Sequence, residues 1–357
     1  MHSRKLAISL LTISVLLWIF ACSSENGIQR DTDSNDVTEN KNFPDVDSQQ
    51  ILAEAESLPQ LRSLIIGDPD SIYHQWYVNG ATAGQPHNMK SASKSVMSAL
   101  YGIALKEGWI ESLNSPVVDF LPEYFDESMP EKKREITLED LLTMRSGLES
   151  TSFNNYGRWI ASRDWIGYQI RADLEYEPGT LMRYSTGSSH LLGVILTRVT
   201  GQSLHQLAQN YIFDHFGNQL RPWDRDPQGY FLGGNNMRFE PESLFKFGQI
   251  YANDGKTQSG ETLFSTEWID RTFEIYGHSN YNNHGYGYHW WIDEYRGYET
   301  RFAWGHGGQY LFWVPELDLI AVTTSTNNPN HTSRGHRRQI FSLLEDKIIP
   351  YYLGRET

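Results

Sequence analysis

Apolar residues fall into three regimes along the chain. Leu6 to Phe20 is an apolar stretch preceded by His2, Arg4 and Lys5, too short to span a bilayer comfortably, and it reads as a processing signal over residues 1–21. From Ser23 to about Val46 the residues are mostly Ser, Asn, Asp, Glu and Lys. Such a segment buries too little surface to order itself, so residues 22–47 read as a disordered tether. Beyond it, residues 48–357 carry the periodic patterns of a folded domain.

A helical pattern opens near Ser48 with Ile51, Leu52, Ala55 and Leu58 in phase. Two strand-like runs follow, Leu61 to Ile66 and Ser71 to Tyr77, joined by the polar turn Gly67-Asp68-Pro69-Asp70. A helix is predicted from Ser91 to about Glu107, with Val96, Ala99, Leu100, Ile103 and Ala104 on its apolar face and Gly108 as its stop. Further helices are predicted over Thr137 to Met144, Ser189 to Thr200, Leu204 to His215 and Pro241 to Asn253. Past Gly285 the character changes to strands: Tyr286 to Ile292, Thr300 to Trp304, Gln309 to Val314 and Leu319 to Ser325. A helix from about Ser333 to Ile349 closes the chain. Strands at both ends around a helical middle imply an α/β fold of α+β type. An antiparallel sheet, from residues 48–90 and 285–357, is flanked by N- and C-terminal helices, with a large helical part over about 91–254.

Composition narrows the function. The net charge of −14 and the lack of any Lys/Arg cluster argue against nucleic acid as a partner. One cysteine, Cys22, excludes an intrachain disulfide framework. Eleven Trp and twenty Tyr are enough to build both a core and a recognition surface.

The candidate chemistry begins at Ser91-Ala92-Ser93-Lys94. Residues three apart share a helix face, so the lysine can take the proton that keeps a serine hydroxyl from attacking. Spacing alone is weak, since Ser243-Leu244-Phe245-Lys246 repeats it. Ser91 follows a polar loop and is expected in the first helical turn, where free N–H groups and the helix dipole favour an alkoxide. Ser243 sits among Leu244, Phe245, Phe247, Ile250 and Tyr251, the face of an ordinary amphipathic helix.

Ile19-Phe20-Ala21-Cys22 resembles a bacterial lipoprotein signal, although Phe20 is bulkier than the usual occupant. The resemblance implies lipid attachment at Cys22 and a place in the bacterial cell envelope. Met89 to Gly108, "MKSASKSVMSALYGIALKEG", resembles the nucleophile helix of the serine β-lactamase and penicillin-binding-protein superfamily. "ITLEDLLTMRSGL" (136–148), "EPGTLMRYSTGSSHLLGVILTRVTG" (177–201), "YGYHWWI" (286–292) and "GHGGQYLFWVPELDLIAVTTS" (305–325) follow in the order of that superfamily. The likeness is to the class C β-lactamase-like serine hydrolases, which include esterases and 6-aminohexanoate-dimer hydrolases, and it implies a β-lactamase/transpeptidase-like fold.

By this resemblance Ser91 is the acylated nucleophile, Lys94 its proton partner, and Tyr184 the acid or base at the leaving group. A phenol with an ordinary pKa near 10 is a poor base, and an adjacent lysine charge is expected to lower it. The resemblance places His306, Gly307 and Gly308 at the substrate-binding sheet edge. It also makes the backbone N–H groups of Ser91 and Gln309 an oxyanion hole. Two departures bear on substrate: His306 stands where many β-lactamases have lysine, and Thr186 where many have asparagine. A mostly neutral imidazole holds a carboxylate poorly, which favours ester or amide substrates over penicillins and cephalosporins.

No metal or organic cofactor is implied. There is no H-E-x-x-H motif, and His278, His284 and His289, among Tyr, Asn and Gly, read as a solvated loop rather than a metal site. There is no G-x-S-x-G elbow. Asp164, Asp224 and Asp226 could pair as carboxylates, but nothing in the sequence fixes their separation. The expected partner is a small ester, amide or short peptide. A DD-peptidase or β-lactamase of the same fold, or an inactive envelope-binding lipoprotein, are the alternatives.

Overall fold

A computed structural model describes residues 46–326 and 333–355. Cys22, the apolar leader and most of the tether lie outside the described residues. A helix α1 (Ser48–Ser57), capped by the Asp47 side chain on the Gln50 amide, leads in. The chain then enters an eight-stranded sheet built from β1 (Leu61–Gly67), β2 (Ile72–Tyr77), β5 (Gly277–His278), β6 (Gly285–Tyr286), β7 (Trp291–Tyr295), β8 (Tyr298–Gly305), β9 (Gln309–Val314) and β10 (Leu319–Ser325). The order across the sheet is β2-β1-β10-β9-β8-β7-β6-β5, and every pairing is antiparallel. A separate two-stranded ladder joins β3 (His87–Asn88) to β4 (Arg238–Phe239).

Both faces of the sheet are covered, and the two-residue period of the strands sorts side chains between two cores. On β9, Leu311 and Trp313 enter the core shared with the helical region. Tyr310, Phe312 and Val314 enter the other, with α1 and the C-terminal helix. β10 divides the same way, with Ile320 and Val322 against Leu319 and Ala321. This sorting explains why these strands read as continuous apolar runs. The helical part lies between β2 and β5 in sequence, and its helices Ser93–Lys106 (α2) and Thr186–Thr200 carry the candidate serine and tyrosine motifs.

Of the elements that differ from expectation, three stand out. The run Tyr286 to Ile292 is not one strand: β6 ends at Tyr286 and β7 begins at Trp291, the two being paired across a tight turn. Gly287 closes that turn where a Cβ would lie 1.9 Å from the Thr272 carbonyl, and His289 takes φ +59°. A uniformly aromatic sequence hides such a turn. Ser91 precedes the α-helix, in a 3₁₀ turn over Lys90–Ala92, with α2 starting at Ser93. The closing helix also runs on, through a π-turn at Leu344–Ile348, to Arg355.

Candidate active site

Lys90 sets up the serine. It sits at φ +49°, an uncommon conformation for a side chain with a Cβ, and its carbonyl accepts from Ser93 Oγ at 2.6 Å and Asn236 N at 3.3 Å. The Lys90 amide donates to Asn88 Oδ1 at 2.9 Å. These bonds hold the bend that turns Ser91 toward a cleft of about 330 Å³. The sheet reaches the same point because Gly305 ends β8 against the serine turn, where a Cβ would meet the Met89 carbonyl at 2.1 Å. No larger residue fits that crossing.

Ser91 and Lys94 lie one turn apart, and Tyr184 arrives from the loop before the helix Thr186–Thr200. The Tyr184 and Ser91 side chains line the same cleft, near enough for the serine hydroxyl to bear on the phenol. Lys94 Nζ lies 4.9 Å above the Tyr184 ring, donates to the Gly234 carbonyl at 2.6 Å and is 3.4 Å from Thr186 Oγ1. It is fully buried with no carboxylate among these contacts, and burial lowers its pKa from 10.5 to about 7. Burial pushes the Tyr184 phenol well above its usual value, and the nearby Ser91 hydroxyl acts the other way without offsetting it. This reverses the sequence expectation that a lysine charge would lower the tyrosine. The lysine is brought to where it loses its charge near pH 7, and the tyrosine keeps its proton.

Lys94 is held from behind by two buried histidines. His289 Nδ1 lies 3.1 Å from the Lys94 carbonyl and Nε2 3.1 Å from Ser189 Oγ. Burial first, and then the lysine charge, hold its pKa at about 3. His289 is therefore an interior residue, not part of the solvated loop the sequence suggested. His190 Nε2 lies 3.0 Å from Asp226 Oδ2, both side chains wholly buried, and His190 Nδ1 accepts from Gly233 N at 3.3 Å. An accepting Nδ1 leaves the proton on Nε2, facing Asp226. The next residue is Gly234, whose carbonyl holds Lys94. Of the three loop aspartates, Asp226 thus joins this pair, Asp164 caps the helix Trp165–Arg171, and Asp224 accepts from Asn236 Nδ2 at 2.6 Å. His284 pairs with Asp293, and His278 Nδ1 lies 3.1 Å from the Asn283 carbonyl.

His306, Gly307 and Gly308 line the cleft together with Ser91 and Tyr184. They form the three-residue loop between β8 and β9, not a strand edge, and both glycines take positive φ, +91° and +108°. Burial and the Lys90 charge lower the His306 pKa, so its imidazole is neutral near pH 7. Gln309 opens β9 opposite Gly305, and its side chain turns away to exchange hydrogen bonds with the Ser325 backbone at 2.9 and 3.0 Å.

The second serine-lysine match is structural. Ser243 Oγ accepts from Asn218 Nδ2 at 2.6 Å, and Lys246 pairs with Glu242 at 2.9 Å.

Several cleft residues escaped the sequence reading. Arg334 and Arg337, three apart on the C-terminal helix, bring two cations to the cleft. Their helical spacing was visible, but not which way that face points. Positive charge at the cleft thus comes from these arginines and not from His306. Phe153 and Tyr281 edge the same cleft.

The sequence model of the family described as Beta-lactamase matches residues 49–345. No curated protein sequence matches the chain. Solved structures share the fold. An octameric penicillin-binding protein homologue from Pyrococcus abyssi is 19% identical, with 84% of this chain and 76% of that one covered at a TM-score of 0.64. EstCE1, a hydrolase with promiscuous acyltransferase activity, is 16% identical over 84% and 96% at 0.65. A D-stereospecific amidohydrolase from a Streptomyces species is 16% identical over 78% and 93% at 0.59.

Proposed function

The chain belongs to the beta-lactamase family, and from that premise and the site's geometry we propose that it is a serine hydrolase cleaving an ester or amide through an acyl-enzyme on Ser91. The observation that carries this reading is the convergence of Ser91 and Tyr184 on one cleft with a buried Lys94, its Nζ 4.9 Å above the Tyr184 ring and its pKa about 7. A lysine held there is half neutral at pH 7 and can take a proton without leaving its pocket.

Ser91 Oγ attacks the carbonyl carbon while its proton passes to the neutral Lys94 amine. The oxyanion is met by the backbone N–H groups of Ser91 and Gln309. Collapse breaks the bond to the leaving alcohol or amine, which takes a proton from Tyr184, and the Lys94 ammonium restores that proton. Water then attacks the acyl carbon, giving a proton to the neutral Lys94 amine; the bond to Ser91 Oγ breaks, the carboxylic acid leaves, and that proton returns to Ser91 Oγ. Arg334 and Arg337 suit a substrate carrying a negative group, so carboxylate-bearing amides belong within the substrate range.

The test is labelling of the purified protein with a fluorophosphonate, located by peptide mass spectrometry. Modification at Ser91, absent in Ser91→Ala, is expected, and Tyr184→Phe should lower kcat by roughly 10²–10⁴. An unlabelled parent protein would refute the reading and leave a binding role. Release of D-Ala from D-Ala-D-Ala peptides faster than ester hydrolysis would assign the peptidase chemistry instead. The proposal also places the protein in the bacterial envelope through a lipid on Cys22, for which labelled palmitate should be incorporated by the parent and not by Cys22→Ala.

A further inference from the structure

Two of the most exposed large apolar side chains in the described residues stand together at the cleft. Phe153 is 64% exposed and Tyr281 51%, and their rings stack at 5.7 Å with 28° between planes. Exposing a pair of rings forgoes their burial, so a shared position at a cleft asks for a ligand. A second, independent observation comes from the backbone. Phe153 takes φ +53°, a conformation that costs a bulky residue of this kind and that persists where surrounding structure enforces it. The enforcing bonds are present: Ser150 Oγ donates to the Tyr184 carbonyl at 2.6 Å, and Ser152 Oγ accepts from the Thr186 amide at 2.8 Å. The loop bearing Phe153 is thus tied to the segment bearing Tyr184. The Phe153 ring lies 6.0 Å from the Tyr184 ring. Tyr281 is braced on its other side by the Arg337 guanidinium, 5.9 Å from its ring.

We propose that Phe153 and Tyr281 form a stacking platform that selects substrates whose leaving group carries a planar aromatic ring. The inference rests on the hydrolase reading, and in particular on Tyr184 protonating the leaving group. A ring resting on Phe153, beside Tyr184, belongs to the departing alcohol or amine and not to the acyl part. The aromatic quadrupole makes an offset stack on these faces more favourable than contact with a saturated ring of the same size.

The experiment compares 2-phenylethyl butyrate with 2-cyclohexylethyl butyrate by pH-stat, two esters sharing an acyl group and differing only in ring unsaturation. The readout is the ratio of their kcat/KM values, in which the concentration of active protein cancels, so partial misfolding of a variant does not alter it. The parent is expected to favour the phenyl ester by roughly three- to tenfold. Phe153→Leu and Tyr281→Leu should each bring the ratio toward one, and Phe153→Tyr should restore it. A parent ratio near one, or a ratio unmoved in both leucine variants, overturns the proposal while the hydrolase reading stands. Absence of turnover together with an unlabelled Ser91 sinks both.

Discussion

Replacing Lys94 by methionine should make the protein more stable at neutral pH while removing its activity. The magnitude follows from the buried amine. Its pKa is about 7 in the folded protein against 10.5 when unfolded, so between those values the unfolded chain binds the proton that the folded one has lost. Stability from this group is therefore fully present only above 10.5, and it falls as the pH drops toward 7. At pH 7 the penalty is about 4 kcal/mol, and at pH 9 about 2 kcal/mol. Methionine removes that penalty and keeps the volume, but it takes the donor from the Gly234 carbonyl, which costs about 1–3 kcal/mol. The variant should gain roughly 1–3 kcal/mol at pH 7 and nearly nothing at pH 9. Urea unfolding of both proteins at the two pH values measures this directly, and the expected difference of differences is about 2 kcal/mol. Parallel pH dependence in the two proteins would show that Lys94 keeps its ordinary pKa, and the proposed proton acceptor would fail with it.

The pH dependence of acylation should mirror this titration, rising through about pH 7 as Lys94 loses its proton. In stopped-flow acylation, a rate flat from pH 6 to 9 would contradict it. Asp226→Asn removes the carboxylate facing His190 Nε2 and should cost about 1–3 kcal/mol in urea unfolding. By loosening the Gly233-Gly234 segment it should also weaken the carbonyl that favours the Lys94 ammonium, moving the acylation midpoint below that of the parent. Lost stability with an unmoved midpoint would limit His190 and Asp226 to a packing role. Gly308→Ala places a methyl 2.5 Å from Ser325 Oγ and 2.8 Å from His336 Nε2 on a backbone at φ +108°. It should destabilise by at least about 1–3 kcal/mol in the same assay, and an unchanged midpoint would mean that the hairpin accommodates a side chain.

The strands Gln309–Val314 and Leu319–Ser325 were legible to the residue, because a strand buried on both faces has an unbroken apolar signature and polar ends. The helix Pro241–Ala252 was legible from its period and its proline at the first turn. The hairpin inside Tyr286 to Ile292 was not, since its turn depends on Gly287 crowding the Thr272 carbonyl, a contact made by a distant helix. Local pattern carries local structure; contacts between segments far apart in sequence leave no such trace.

The same division runs through the site. By itself the sequence determined the family resemblance, the serine-lysine spacing and the order in which Tyr184 and His306 follow, since these are properties of the chain read along its length. Only the tertiary structure decided how differently two equally spaced lysines are housed. Lys246 pairs with Glu242, whereas Lys94 is enclosed by Tyr184, Gly234 and His289 with no carboxylate in contact. A lysine's pKa depends on the solvent and charge within a few ångströms of its nitrogen. Those neighbours come from three separate segments, and folding alone brings them together.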